Sequence, residues 1–339
     1  MQENVAARNV LKYVLEAEEG ERMLLVGDDV NADVIDAFTR GGADLGLWVR
    51  QIKLDTKKGF RKQIPSHLRE AVLGGGTGRP DMFINVLRGI TEETPFRIEL
   101  IKLETRGRKS RLGHCPGITI DMLTDGALAL TAEEHKEMQG FVRKALTRLL
   151  DVSEVRIVTP EGTDLRFSVK GRDFFTDTFM DWETMRWMNL PTGEIMVGPV
   201  ENSLNGILVC DMAIGGVGLL EKQVRIIAKD GKAAKVEGDD TKVLNKIKAA
   251  LSTDYWSSFV GELGIGVNRR ARAVEEFLET EKIFGTVHIA FGNNIDYPGG
   301  KNTSANHMDF LMSKPSVTIT YENGEEIEII KSGEFLDFP

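Results

Sequence analysis

The chain has 339 residues, too many for one ordinary domain and enough for two with a core each. A formal net charge of −9 argues against nucleic acid or an anionic membrane as the main partner. The two cysteines, Cys115 and Cys210, make neither a disulfide framework nor a C-x-x-C motif. MQENVAARNV has no basic and apolar leader pattern and no apolar run could span a bilayer, so the expected setting is cytoplasmic.

Residues 3–17 have helical spacing, with Val5, Leu11, Val14 and Leu15 on one side. MLLVGDD (23–29) reads as a short buried strand, Asn31 or Asp29 as the cap of a helix through Phe38, and GGADLGLWV as the start of the next strand. Residues 67–73 read as helix, 82–86 as strand and 95–104 as a helix or a strand-to-helix edge. This alternation predicts a mainly parallel sheet. GGGTGRP (74–80) does not follow a strand and lacks the lysine and hydroxyl of a phosphate loop, so it reads as a turn. Asp29, Asn31 and Asp33 start like a calcium loop, but Val34 and Arg40 stand where that loop needs glycine and glutamate. RGRKSR (106–111) reads as a solvated loop, and His67, His114 and His135 sit in polar or turn contexts without assigned chemistry.

AEEHKEMQGFVRKALTRLL (132–150) is an amphipathic helix and closes a first domain, 1–150, expected to be α/β. The second, 151–339, reads as strand-rich α+β. Hairpins are expected at 155–172, at 223–238 with an Asp-Gly turn, and at 317–330 with an Asn-Gly turn, and a helix at about 240–251.

The chemistry concentrates in GTVHIAFGNNIDYPGGKNTSANHMD (285–309), which holds two of the five histidines. Strand alternation puts His307, Asp309 and Leu311 on one face, and His288, Ala290 and Gly292 on the face opposite Val287, Ile289 and Phe291. A histidine flanked by alanine and glycine has open space beside it, as a metal ligand needs; the plain alternative is two hydrogen-bonded core histidines. In GELGIGVN (261–268), Glu262 shares its face with Gly264 and Gly266, and in NLPTGEIMVGP (189–199) Glu194 opens a strand after a turn. Three carboxylates and two imidazoles suit two divalent ions, Zn, Co or Mn, joined by a carboxylate and a water. Such a pair supports hydrolysis, most naturally of an amide, and one ion could hold a free amino group.

NLPTGE, GELGIGVN with the following RRA, GTVHIAFG, and GG-x-N-x-S-x-x-H-x-D, in this order, resemble the thermophilic metallo-aminopeptidase family of aminopeptidase T and aminopeptidase S, a leucyl aminopeptidase-like group. ETPFRIELIK, GHCPGIT and VRIVTPEGTDLRFSVKGR extend the likeness to roughly residues 80–312. The resemblance implies metal ligation by Glu194, Glu262, His288, His307 and Asp309, with Glu262 bridging, and release of N-terminal residues from peptides by a homodimer. It also implies a catalytic tyrosine shortly after His288. The nearest is Tyr297, in NNIDYPGG, at a spacing that departs from the family's. Two alternatives stand beside this reading: a mononuclear Fe(II) ring-cleaving dioxygenase-like relative, disfavoured by Glu262, and a metal-binding member without turnover.

Overall fold

The computed structural model describes residues 1–75, 78–108, 110–181 and 187–336. The chain divides into two compact units, residues 1–139 with 177–192, and residues 140–176 with 193–339.

In the first unit, α1 (Glu3–Tyr13), β1 (Arg22–Asp28), α2 (Ala32–Asp44), β2 (Trp48–Leu54), α3 (Ser66–Leu73), β3 (Met82–Leu87), α4 (Thr94–Glu104) and β4 (Arg111–Pro116) follow one another. A further strand, Trp187–Asn189, joins the sheet beside β4, and every pairing in the sheet is parallel. The strands read as continuous apolar runs because both faces are covered. Met23, Leu25, Met82 and Ile84 pack with Val10, Leu11, Val34 and Phe38 of α1 and α2. Leu24, Val26, Phe83 and Leu87 pack with Leu68, Val72, Phe96 and Leu100 of α3 and α4.

Four local expectations are corrected. Asn31 precedes α2 but makes no side-chain cap bond, and the Asp29 carboxylate is taken by the Thr56 hydroxyl at 2.6 Å. Gly41 and Gly42 belong to α2 rather than to the next strand. A Cβ on Gly41 would lie 2.6 Å from the Arg8 backbone nitrogen, so the glycine is what lets α1 and α2 touch. Arg111 is buried in β4, where it donates to the Leu15 carbonyl at 3.0 Å and pairs with Glu21, and Arg106–Arg108 form a short 3-10 helix. Residues 76–77 of GGGTGRP and 109 of RGRKSR lie outside the described residues. His114 on β4 and His135 on the helix Ala132–Arg148 are buried, not in turns.

Open parallel sheets bind ligands outside the carboxyl ends of their strands, where the strand order reverses. Here that point lies between β1 and β3, and the chain fills it itself. Asp28, the last residue of β1, accepts from the Arg88 backbone N–H at 2.7 Å and pairs with Arg61. Arg61 and Arg88 both pair with Glu93, whose side chain is fully buried. That end of the sheet is thus occupied by a structural ion-pair cluster.

The second unit contains the expected hairpins. Val152–Val158 pairs with Asp164–Ser168, Val224–Lys229 with Lys232–Gly238, and Ser316–Tyr321 with Glu326–Lys331, all antiparallel. They belong to an eight-stranded sheet, and a separate seven-stranded antiparallel sheet carries the candidate site. The helix Thr241–Leu251 starts at Asp240, which caps the Lys242 and Val243 N–H groups. No described helix is long and apolar enough to cross a membrane.

Burial works against the ionised Glu93, but hydrogen bonds from Arg88 and Arg61 outweigh it and pull the carboxyl down to about 2. A depressed carboxyl stabilises above its unfolded value and loses that contribution as pH falls through the folded one. Glu93→Gln is therefore expected to destabilise the first unit at pH 7 by about 3 kcal/mol, since it removes a buried carboxylate that pairs with both Arg61 and Arg88. The difference should shrink between pH 4.5 and 2. Urea unfolding at several pH values measures it; a constant difference across that window contradicts the assignment.

Candidate metal centre

Four neighbouring antiparallel strands position the candidate side chains: β5 (Glu194–Val197), β6 (Val260–Gly266), β7 (Val287–Gly292) and β8 (His307–Met312), in the spatial order β8-β7-β6-β5. Register puts Glu262, Ala290 and Asp309 in one row, with Gly264 beside His288, Gly266 beside Glu194 and Gly292 beside His307. Each acid or imidazole thus has a small residue as its cross-strand neighbour. A Cβ on Gly264 would come within 2.1 Å of the His288 ring. The glycine is the space the imidazole occupies.

All five residues expected as ligands come together. His288 Nε2 lies 3.3 Å from Glu262 Oε1 and 3.6 Å from Glu194 Oε2. His307 Nε2 lies 3.0 Å from Glu262 Oε2 and 3.3 Å from Asp309 Oδ1. Glu262 is buried with an imidazole at each carboxylate oxygen. Two donor groups result, Glu194 with Glu281 and His288, and Glu262 with His307 and Asp309; within each the ligand atoms lie within 4.8 Å of one another.

Tyr297 also arrives, although its sequence spacing argues otherwise. Its hydroxyl donates to Glu262 Oε2 at 2.6 Å, and its ring meets Phe175 edge-on at 4.9 Å. The loop between β7 and β8 folds back to bring it there. Buried Asn302 ties the loop down, its side chain donating to the Val260 and Gly292 carbonyls at 2.8 and 3.0 Å. The Lys301 backbone N–H donates to Glu201 at 3.0 Å, and Glu201 is itself held by Arg172.

Two residues of the centre escape a reading by motif. Glu281 and Lys282 sit in LETEKIFG, a charged stretch that looks solvated, yet both are buried. Lys282 pairs with Glu194, and its Nζ is 2.8 Å from Glu281 Oε1. The only available sign was Gly266, which β6 needs because a Cβ there would lie 2.0 Å from the Ile283 carbonyl oxygen.

The electrostatics are those of a cation site. Burial alone would lower the His288 pKa, but its hydrogen bond to Glu262 and the charges of Glu262, Glu194 and Glu281 hold it up at about 9. Burial likewise opposes protonation of His307, and Asp309 and Glu262 override it. Glu262 goes the other way: despite burial, the two imidazoles keep it well below the usual carboxylate range. Burial pushes the Glu281 carboxyl up, against the pull of Lys282. The Tyr297 hydroxyl is driven well above its ordinary value by burial and by the charge of Glu262, so it remains a proton donor at neutral pH.

The donor set fits a divalent metal. His307 Nδ1 lies 2.8 Å from the Asn293 carbonyl oxygen, to which it donates, and this turns Nε2 toward Glu262 and Asp309. In the neutral ring that Nε2 is a lone pair facing carboxylates, an arrangement that calls for a proton or a metal ion between them. Mixed nitrogen and oxygen donors without cysteine match zinc, cobalt or manganese.

Buried carboxylates and imidazoles in this arrangement form two groups that could hold metal ions, and comparison with known proteins places the chain more narrowly. The thermophilic metalloprotease family (M29) matches residues 129–335, more than half of the chain and all of the site. The chain belongs to that family and is a metallopeptidase, a hydrolase. No curated protein matches it in sequence. In fold it is similar to 2,5-dihydroxypyridine dioxygenase from Pseudomonas putida KT2440, with a TM-score of 0.73 and 15% identity over 99% of this chain and 97% of that one. It is also similar to AmpT from Thermus thermophilus, with a TM-score of 0.69 and 17% identity over 99% of both chains. At these identities the two likenesses establish the fold.

In the metal-free protein His288, held at about 9 by Glu262, Glu194 and Glu281, keeps its proton at pH 7.5, and Asp309 and Glu262 raise His307 in the same direction. Binding must expel those protons, so zinc affinity is expected to rise with pH toward 9. Calorimetry in two buffers of different ionisation enthalpy measures the release; none at pH 7.5 contradicts the ligand assignment.

Proposed function

We propose that the chain is an aminopeptidase that holds two divalent ions and removes N-terminal residues from peptides. The observation that carries this reading is the placement of Glu262. One oxygen lies 3.3 Å from His288 of the Glu194–Glu281–His288 group, and the other faces His307 and Tyr297. Glu262 thus belongs to one donor group and reaches the imidazole of the other.

Glu194, Glu281 and His288 would hold one ion, His307 and Asp309 the other, and Glu262 both. Such a pair, when bound, supplies an activated water and polarises the scissile carbonyl. The chain's own groups do the rest. Glu262, whose carboxyl stays well below the usual range, would orient the attacking water by charge and hydrogen bonding. Tyr297, kept protonated, donates a hydrogen bond to the oxygen that becomes negative as the carbonyl carbon turns tetrahedral. The carboxylates of Glu194, Glu262, Glu281 and Asp309 favour the ammonium of a free peptide N-terminus over an internal segment. His307, whose side chain is 34% exposed, marks the open side, whereas His288 at 1% closes the far wall.

Support for the dioxygenase-like alternative comes from the same His288, His307 and Asp309, which resemble the two-histidine, one-carboxylate set of ferrous oxygenases. It leaves Glu194, Glu262 and Glu281 without a role. A reducing compartment suits the two cysteines, both buried and free, and we keep a cytoplasmic homodimer as part of the proposal.

Glu262→Gln is expected to lower hydrolysis of aminoacyl-p-nitroanilides by at least about 10²–10³-fold under added zinc or cobalt. Full activity with unchanged metal content would sink the proposal. Tyr297→Phe should reduce kcat by about 10²-fold with KM little altered, because its hydrogen bond matters in the transition state. An effect confined to KM would move Tyr297 from oxyanion contact to substrate binding.

A further inference from the structure

Lys282 is the one feature of the centre that a two-ion reading does not ask for. Its side chain is 1% exposed, and its ammonium lies between the carboxylates of Glu194 and Glu281. The backbone delivers it there. Gly266 at the end of β6 allows the Lys282–Ile283 segment to lie against the strand, the Asn268 N–H donates to the Lys282 carbonyl at 2.9 Å, and the Gly285 N–H to the Gly266 carbonyl at 2.9 Å. The strand that carries Glu262 therefore also anchors the lysine.

The two donor groups consequently differ in what already stands on them. Lys282 pairs with both Glu194 and Glu281, whereas among the described residues no lysine or arginine pairs with Glu262 or Asp309. An ion entering the first group has to displace that ammonium, and low-dielectric surroundings magnify the cost.

We propose that Lys282 is a built-in counter-cation that competes with the ion held by Glu194, Glu281 and His288, so that this chain binds its two ions with unequal affinity. The group of Glu262, His307 and Asp309 fills first and tightly. The second fills only at higher metal concentration, when the ion displaces the ammonium from between the two carboxylates. Occupancy of the second position, and with it turnover, becomes a function of free metal. The inference rests on the two-ion reading above.

The test is a titration of metal-stripped protein with zinc, followed by calorimetry and by thermal unfolding, for wild type, Lys282→Met and Lys282→Arg. Wild type should bind two ions in separated steps, the second weaker by at least about tenfold. Lys282→Met, which keeps length and removes charge, should lower the melting temperature without metal and tighten the second step about tenfold or more, with a larger zinc-dependent rise in melting temperature. Lys282→Arg should keep the second step weak. Two equally tight ions in wild type, or loss of the second ion in Lys282→Met, would overturn the proposal and make the lysine a support of the site. If Lys282→Met does not fold, the wild-type steps decide alone. A wild type that binds one ion at every zinc concentration contradicts the two-ion reading itself.

Discussion

The structure is organised around a carboxylate where carboxylates are costly. Glu262 is buried, with Glu194, Glu281 and Asp309 close to the same imidazoles. Like charges at such distances in a poorly solvated setting repel strongly unless cations stand between them. The chain supplies some positive charge itself, through His288, His307 and Lys282, and leaves donor atoms converging where a divalent ion would complete the balance. A metal is therefore part of what makes the arrangement tenable, as well as part of its chemistry.

Everything nearby serves to hold those groups together. Antiparallel pairing sets β5 to β8 side by side, and small residues across the strands from each ligand make room for the imidazoles and for the Lys282–Ile283 backbone. The excursion between β7 and β8 is tied down through Asn302 and Glu201, which keeps Tyr297 against Glu262. A loop carrying a catalytic group needs this kind of support, because a hydrogen-bond donor misplaced by an ångström loses most of its effect. In the first unit, the crevice where an α/β sheet would take a ligand is filled by Arg61, Arg88, Asp28 and Glu93. The chemistry is left to the antiparallel sheet.

Much of this was legible in the residues. Strand alternation put His307 with Asp309, and Glu262 with Gly264 and Gly266, on shared faces, and the structure brings those faces together. Turn chemistry located the Asp-Gly and Asn-Gly hairpins. Alternation says nothing of how a loop returns, so Tyr297 looked displaced when a fold-back through Asn302 supplies the missing reach. Nor does it reveal a charged stretch that is buried, because Lys282 finds Glu194 88 residues away in β5 and Glu281 right beside it. Gly41 read as the start of a strand for the same reason: the demand for a glycine inside α2 comes from α1, which local sequence does not show.

The central claim is that Glu262 stands between two cation positions. Anomalous scattering from a crystal soaked in saturating zinc tests it most directly. The account predicts two peaks on the order of 3.5–4 Å apart, one beside Glu194, Glu281 and His288, the other beside His307 and Asp309, each within bonding distance of Glu262. A single peak bound by His288, His307 and Asp309, with Glu262 turned away from it, would contradict the account and favour the mononuclear branch of the fold.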